Sequence, residues 1–373
     1  MLNTTLQHLK CPCGNPLDLI PKDVLRSGTT AEVFEVSSGN LQCQKCKARF
    51  PILAGVALLV EDVYGYLMEH VKGIAKVVPD SEIPADYLAD FLEAKAEIQI
   101  EHIEWDLEAE RVNALYLMNH YLHANPEPLE LWWQPREGVG SALINSLVRE
   151  YWDKGPFSQI QTWVAHIAKT GQKSNVVELG CGVAGLHSVL KPHLQSYLGV
   201  DSSFASVAIG RHLALGVPYR GSLKVPEDLL QGPVSRDIQF PMAKSYDGHA
   251  DLIVADMAAP PLRHNEWDIA IALNTIDMLD EPARLPKIQH DLLRKGGIAI
   301  QSCPYIWHEG VAQTLRTMLP KDVKESSRAV EWLYEQAGFE IDEKIEHLPW
   351  LFFKHLRQME IYSVHMFAAK RWK

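Results

Sequence analysis

The sequence predicts an α/β protein: a doubly wound, mostly parallel sheet, preceded by a small cysteine-bearing domain and a helical connector. Three observations predict it. Short apolar segments alternate with helix-length segments through the C-terminal half, as in a parallel sheet with helices on its faces. Acids stand at the C-terminal ends of four apolar segments, Glu178, Asp201, Asp256 and Asp277, where open α/β sheets bind ligands. Four of the six cysteines, Cys11, Cys13, Cys43 and Cys46, fall in two close pairs near the start. The domains expected are 1–62 (cysteine-bearing), 63–150 (connector and lid) and 151–373 (sheet).

Composition narrows the class. The chain has 373 residues, 47% hydrophobic and 22% charged, ordinary for a globular protein of two or three domains. Its longest apolar candidate, Ile52 to Val60, is a strand at most and falls short of a membrane span. The start, MLNTTLQHLKC, lacks the basic and apolar regions of a signal peptide, so a cytoplasmic protein without membrane contact is expected. A net charge of −11 disfavours a broad nucleic-acid footprint, which needs a basic face. It leaves Lys354 to Arg357 with Lys370 to Lys373 as a local basic patch or a solvated tail.

In a reducing compartment, paired cysteines favour metal over disulfide. Cys43-Gln44-Lys45-Cys46 has knuckle spacing. Cys11-Pro12-Cys13-Gly14 is one residue tighter, which gives two thiolates less room on a tetrahedral ion. These four are the candidate ligands of a structural zinc ion; four free thiols are the alternative. ARFPIL, a turn at Gly55 and VALLV then form a hairpin. Apolar residues recur at helical spacing over Asp86 to Leu92 and Ile100 to Leu122. Asn125-Pro126-Glu127-Pro128 breaks the helix, Trp132-Trp133 lines a pocket or fills core, and Ser141 to Trp152 is helical again.

The sheet opens with VVELGCGVAG. An apolar strand ends at Glu178, and Gly180-Cys181-Gly182 turns into a helix, with Gly185 beyond. Glycines there let backbone N–H groups approach a ligand without Cβ interference. A second strand ends at Asp201, an acid about 20 residues on that suits a ribose diol. A dinucleotide site uses nearly the same device. The acid that opens this turn would repel a pyrophosphate but tolerates a sulfonium cation. Ser203 to Leu215 reads as a helix, and residues 216–249 form an excursion too long for an idle loop. Leu252 to Ala255 is a strand ending in Asp256-Met257: the acid suits an adenine amine and the methionine its ring face. Trp267 to Leu273 is a fully buried strand, ending in Asn274-Thr275-Ile276-Asp277. A helix over 282–294, Gly296-Gly297, strand Ile298 to Gln301, and strands Phe339 to His347 and Ile361 to Ala369 complete a seven-stranded sheet.

The E-x-G-x-G turn resembles motif I of the class I, Rossmann-like methyltransferases. The resemblance implies S-adenosylmethionine as cofactor, with Glu178, Gly180, Gly182, Asp201, Asp256, Met257 and Asn274 around it. Residues 7–60 resemble the zinc-ribbon activator subunit shared by tRNA, rRNA and release-factor methyltransferases. That implies a closed structural zinc site in a module that stabilises or docks onto a methyltransferase, here fused to one.

The Asn-Pro-Pro-Tyr motif of base-amine methyltransferases is absent. Instead, LNTIDMLDEP, GGIAIQSCPYIWHEG, the closing AGFEIDEKIEHLPW and YSVHMFAAKR, and Val148-Arg149-Glu150-Tyr151 look like the methyltransferases of histidine imidazoles, those of ovothiol synthesis, proteins and carnosine. Two departures stand out: Cys303 before the proline, and the attached ribbon. The likeness covers roughly 145–373 and implies an imidazole nitrogen of a small molecule, peptide or protein as acceptor. Asp277 is then expected to take the far imidazole N–H, and Asn274 to orient the ring or the methionine carboxylate. Tyr305, Trp307 and His308 would form an acceptor wall. The plainer alternative has Asn274 capping a helix and Asp277 paired on its surface. An RNA base as acceptor and a non-catalytic docking scaffold are the competing functions; the oligomeric state is open.

Overall fold

The computed structural model describes residues 1–25, 33–101, 116–117, 119–121, 141–167, 173–217, 219–224, 235–240, 250–355 and 358–372. Trp132-Trp133, most of Ile100 to Leu122, parts of 216–249 and parts of the basic tail lie outside the described residues.

The N-terminal unit comprises a 3-10 turn (Asn3–His8) and strands β1 (Leu17–Leu25), β2 (Glu35–Cys43), β3 (Arg49–Leu53) and β4 (Val56–Leu58). The expected hairpin is present. Its two turn residues, Ala54 and Gly55, have φ of +46° and +81°, the left-handed pair that a two-residue turn of matching twist requires. Helices α1 (Val63–Glu69), α2 (Val71–Ala75), α3 (Leu88–Glu101), α4 (Ser141–Lys154) and α5 (Pro156–Ile167) follow. Asp62 caps α1 by accepting from the Gly65 N–H at 2.8 Å.

The remainder alternates: β5 (Ser174–Leu179), α6 (Gly185–Leu190), β6 (Leu194–Asp201), α7 (Phe204–Ala214), the hairpin β7 (Tyr219–Lys224) and β8 (Ser235–Phe240), β9 (Ala250–Val254), β10 (Trp267–Leu273), α8 (Arg284–Leu292), β11 (Leu293–Cys303), α9 (Glu309–Met318), α10 (Ser326–Gln336), β12 (Phe339–His355) and β13 (Gln358–Arg371). The 216–249 excursion thus holds a small two-stranded sheet of its own. Among the described residues, no helix is long and apolar enough to cross a membrane.

The main sheet runs β1-β2-β3-β4-β9-β6-β5-β10-β11-β13-β12. The strands from β9 through β11 are mutually parallel, and β13 is antiparallel to both β11 and β12. Among the described residues eleven strands form one sheet: the seven expected of the catalytic domain, β9-β6-β5-β10-β11-β13-β12, are extended by the four of the N-terminal unit, a continuity the sequence did not predict. The reason is β4. It pairs in parallel with β9 (Ala57 opposite Ile253, Leu58 opposite Val254), and its continuous apolar run is buried on both faces.

Residues alternate between two cores, as the strand period of two demands. Val176, Leu252, Val254, Ile269 and Ile271 face helices α1 to α3 and α5 to α7. Val177, Leu198, Ile253, Ala270 and Ala299 face α8, α10 and the apolar side of the N-terminal unit (Met1, Leu9, Phe50, Ile52). That second core explains why the unit is fused rather than tethered.

A buried polar cluster stitches the same seam. Asp251 accepts from the Leu2 N–H (2.7 Å), the Thr5 hydroxyl (2.6 Å) and Arg211 Nε (2.9 Å). Arg211 also donates to Glu35 at 2.7 Å. Gly55 lies so close that a Cβ there would meet Arg211 Nη1 at 2.5 Å. Arg211 is paired with both carboxylates, the condition under which burying such a charge is tolerable, though its Nη2 is left without a hydrogen-bond partner.

Candidate active site and metal centre

The C-terminal ends of β5, β6, β9, β10 and β11 form the candidate site. After β5 the chain turns through Gly180 (φ +73°) and Gly182 (φ +51°) into α6. A Cβ on Gly180 would lie 2.5 Å from Thr275 Cγ2 and 3.4 Å from Met257 Sδ. The glycine therefore lets the loops after β5, β9 and β10 converge. Gly182 has nothing within 4 Å of its missing Cβ, so its backbone faces open space. Its N–H donates to Asp201 Oδ2 at 2.8 Å, and the Ser203 N–H donates to Oδ1 at 2.9 Å. Burial raises the Asp201 carboxyl above its usual range, and these N–H groups oppose the rise.

Glu178 is buried beneath this turn and accepts from the Tyr197 hydroxyl. Burial pushes its carboxyl up to about 8; the Tyr197 hydrogen bond opposes the shift and nearby Asp201 adds to it. Asp256 is exposed, with one oxygen held by the Ala258 N–H at 2.7 Å. Thr275 Oγ1 is buried without a hydrogen-bond partner. An orphaned hydroxyl beside an open glycine turn fits a site completed by a polar ligand, and an adenosine-bearing cofactor would supply one.

Sequence reading missed the roof of this loop. Tyr121 donates to Val183 O at 2.8 Å, and the His120 side chain lies where a Gly185 Cβ would sit. Tyr66, from α1, donates to Ser202 O at 2.6 Å and accepts from the Phe204 N–H at 2.9 Å. No motif marks these contacts, which join residues far apart in the chain.

The loops after β10 and β11 carry the candidate acceptor residues. Asn274 (φ +51°) and Tyr305 (φ +62°) are both left-handed. For Tyr305 this conformation costs roughly 1–2 kcal/mol, whereas an asparagine adopts it more readily; such strain clusters at functional sites. The Asn274 N–H donates to Ser302 O at 2.8 Å, and its Oδ1 accepts from the Ser302 hydroxyl at 2.9 Å. Asn274 thus braces the two loops; it does not cap a long helix, because only a 3-10 turn, Ile276–Met278, follows. Asp277 is buried, and its Oδ2 accepts from the Ile306 N–H at 2.8 Å. That oxygen holds the loop carrying Tyr305.

Tyr305 stacks on Trp307 (5.7 Å between centroids, 18° between planes), and its hydroxyl lies 2.6 Å from His365 Nδ1. His308 is exposed at the start of α9. Cys303 is buried; burial, then the neighbouring Asp277 charge, push its thiol well above the ordinary range, so it is no thiolate nucleophile.

The four N-terminal cysteines meet at the other end of the N-terminal unit. Sγ separations are 3.6 Å (Cys11–Cys46), 3.5 Å (Cys13–Cys43) and 3.6 Å (Cys13–Cys46). A tetrahedral zinc thiolate with Zn–S near 2.3 Å separates its sulfurs by about 3.8 Å, so the spacing fits. Asn15 Nδ2 donates to Cys13 Sγ and the Cys46 N–H to Cys43 Sγ, each at 3.4 Å. Such donors stabilise thiolate ligands. The tight Cys11-Pro12-Cys13 pair works because Gly14 (φ +83°) closes the turn behind it.

The family described as "Methyltransferase domain" matches residues 151–344, more than half of the chain. The chain belongs to this methyltransferase family. The family implies S-adenosylmethionine as methyl donor. Residues 3–55 match the family described as "Trm112p-like protein". No curated protein sequence matches the chain. Among solved structures, similarity extends to magnesium protoporphyrin IX methyltransferase from Synechocystis (14% identity, 70% of this chain and 99% of that one, TM-score 0.37). It extends also to a complex containing the Haloferax volcanii Trm112 methyltransferase activator (14%, 59% and 99%, TM-score 0.36). A SAM-dependent methyltransferase from Thermotoga maritima is a third (17%, 61% and 95%, TM-score 0.32).

Proposed function

We propose that this methyltransferase transfers a methyl group from S-adenosylmethionine to an imidazole-type nitrogen of a small molecule, peptide or protein. The observation that carries the reading is the pair of strained, mutually braced loops after β10 and β11. Asn274 adjoins Thr275, which lies against the Gly180 turn, and the bracing to Ser302 carries the neighbouring loop with its Tyr305–Trp307 stack.

Asp201 and the Gly182 backbone are suited to the ribose, Met257 and Asp256 to the adenine, and Glu178 and Thr275 to the region of the sulfonium. The cofactor supplies an electrophilic methyl group, and positioning then provides much of the acceleration. A neutral imidazole already offers a lone pair, so the chain needs only to hold its ring and its other N–H. An aromatic stack with a hydroxyl is suited to that task. Asp277, the residue expected to hold the N–H, also positions the loop of Tyr305, because its Oδ2 accepts from the Ile306 N–H.

In this reading the zinc ribbon serves its own catalytic domain. β4 occupies the sheet edge beside β9, so docking is internal, and the ion at Cys11, Cys13, Cys43 and Cys46 is structural. Transfer of labelled methyl groups into a fractionated cell extract, with RNase and protease controls, tests the acceptor class. Label in a small-molecule, peptide or protein fraction is expected; label lost on RNase treatment overturns the imidazole reading.

A further inference from the structure

His365, on β13, is fully buried beside the end of β11, where it pairs in register with Cys303. Its Nδ1 meets the Tyr305 hydroxyl at 2.6 Å. Its Nε2 is buried and has no hydrogen-bond partner, yet it lies 3.4 Å from Glu331 Oε1 and 3.8 Å from Glu346 Oε1. A neutral imidazole carries one proton, and its place is set by what the two nitrogens face. Nε2 faces two carboxylates, which only accept. The proton therefore belongs on Nε2, and Nδ1 is the acceptor. Tyr305 must then donate its O–H to Nδ1, which turns the lone pairs of its oxygen toward any other donor.

We propose that Tyr305, His365 and the carboxylates of Glu331 and Glu346 form a proton relay that removes the acceptor's proton during methyl transfer. The proposal rests on the N-methyltransferase reading above. Methylation of a neutral N–H imidazole at its lone pair leaves a cation that must shed one proton. That proton passes from the other, unmethylated ring nitrogen of the acceptor to the Tyr305 oxygen as the phenolic proton moves to His365 Nδ1. The electron pair of the broken N–H bond stays on the acceptor, which leaves as the neutral methylimidazole. The resulting imidazolium lies between two carboxylates. Glu346 is on the surface, so it delivers the proton to solvent.

The groups around His365 are suited to a transient charge rather than a permanent one. Burial lowers its pKa below the ordinary histidine value, Glu346 and Glu331 oppose the fall, and Lys344 adds to it. Lys344 Nζ is 2.8 Å from Glu331 Oε1, and Arg328 Nη1 is 3.3 Å from Oε2. The remaining titratable neighbours, Cys303 and Tyr334, are held protonated by burial. The Glu331, Glu346 and His365 trio also has the spacing of a metal site. An ion there would have to displace the Lys344 ammonium, and the proton relay needs no such exchange.

The test has two arms. In histidine-15N-labelled full-length protein, NMR should show His365 as the Nε2–H tautomer, and Tyr305→Phe should shift its Nδ1 resonance. In steady-state methylation of β-alanyl-histidine, His365→Gln should lower turnover roughly 10²-fold, the scale of a lost general base, with cofactor affinity kept. His365→Gln and Glu346→Gln, the latter a surface change that leaves the core intact, should both shift the pH–rate profile of the wild type. A proton on Nδ1, or pH profiles unchanged in both variants, overturns the relay. If neither β-alanyl-histidine nor a histidine-containing peptide is methylated although the cofactor binds, the imidazole reading fails and the relay falls with it; methylation of either with His365 carrying its proton on Nδ1 overturns the relay alone.

Discussion

Glu178 allows a quantitative test of the cofactor site. Its carboxyl is buried, bonded to Tyr197, and raised from the ordinary glutamate value to about 8. At neutral pH it is mostly protonated without ligand. The acid is more easily charged unfolded than folded, so its contribution to stability is full below about 4.5 and is lost as pH rises through about 8. At 1.36 kcal/mol per pH unit, the loss across that window is on the order of 5 kcal/mol. A sulfonium cation above the carboxyl favours its charged form, so binding should release a proton. Cofactor affinity should rise with pH between about 6 and 8, approaching tenfold per unit, and level off above. Titration calorimetry in buffers of different ionisation enthalpy would read both affinity and proton release. Glu178→Gln keeps the Tyr197 hydrogen bond but cannot titrate, so it should flatten both profiles. A wild-type affinity constant over pH 6–9, or an unchanged slope in the Gln variant, would refute the placement of Glu178 under the cation.

Three further predictions follow from the same geometry. Asp251→Ala leaves Arg211 with Glu35 alone at the seam and removes acceptors from Leu2 and Thr5; urea unfolding should show about 3–5 kcal/mol of destabilisation, and a loss under 1 kcal/mol would mean the seam is held by the apolar core alone. Purified protein should carry about one zinc per chain, and Cys43→Ser should lose the metal and expose residues 1–60 to proteolysis, since the binding energy of such a site is also folding energy; metal-free wild type with unaltered protease resistance would rule out the ribbon site. Gly180→Val puts a branched side chain at a left-handed position, 2.5 Å from Thr275 Cγ2, and should abolish cofactor binding in calorimetry while zinc content stays normal; retained binding would move the cofactor elsewhere.

What the sequence made legible was whatever local pattern encodes. β10 was bounded at Trp267 and Leu273 because a continuous apolar run between polar residues has little other interpretation. The turn at Ala54-Gly55 and the glycine turn after β5 were equally local. The strand ends β12 and β13 ran further than expected, since their distal halves carry no clean alternation: the register shifts between Ile345 and Leu348, and His347 is left-handed. The fusion of β4 to β9 was not legible. VALLV announces burial on both faces but not its partner, nearly 200 residues away. Nor was the Arg211–Asp251–Glu35 cluster, because no spacing rule links these positions. Asn274, Asp277 and Tyr305 stood out by type and place as candidates, but their contacts are with Ser302, Ile306 and His365, which only the adjacency of β10, β11 and β13 brings near.

The proposed activity is methyl transfer to an imidazole nitrogen. Its most direct test incubates the full-length protein with S-adenosylmethionine labelled at the methyl carbon and either β-alanyl-histidine or a histidine-containing peptide, and locates the label by NMR. Label is expected on an imidazole nitrogen with wild-type protein and nowhere with Gly180→Val. Label on another atom, or in RNA offered alongside while both imidazole substrates stay unlabelled, would contradict it.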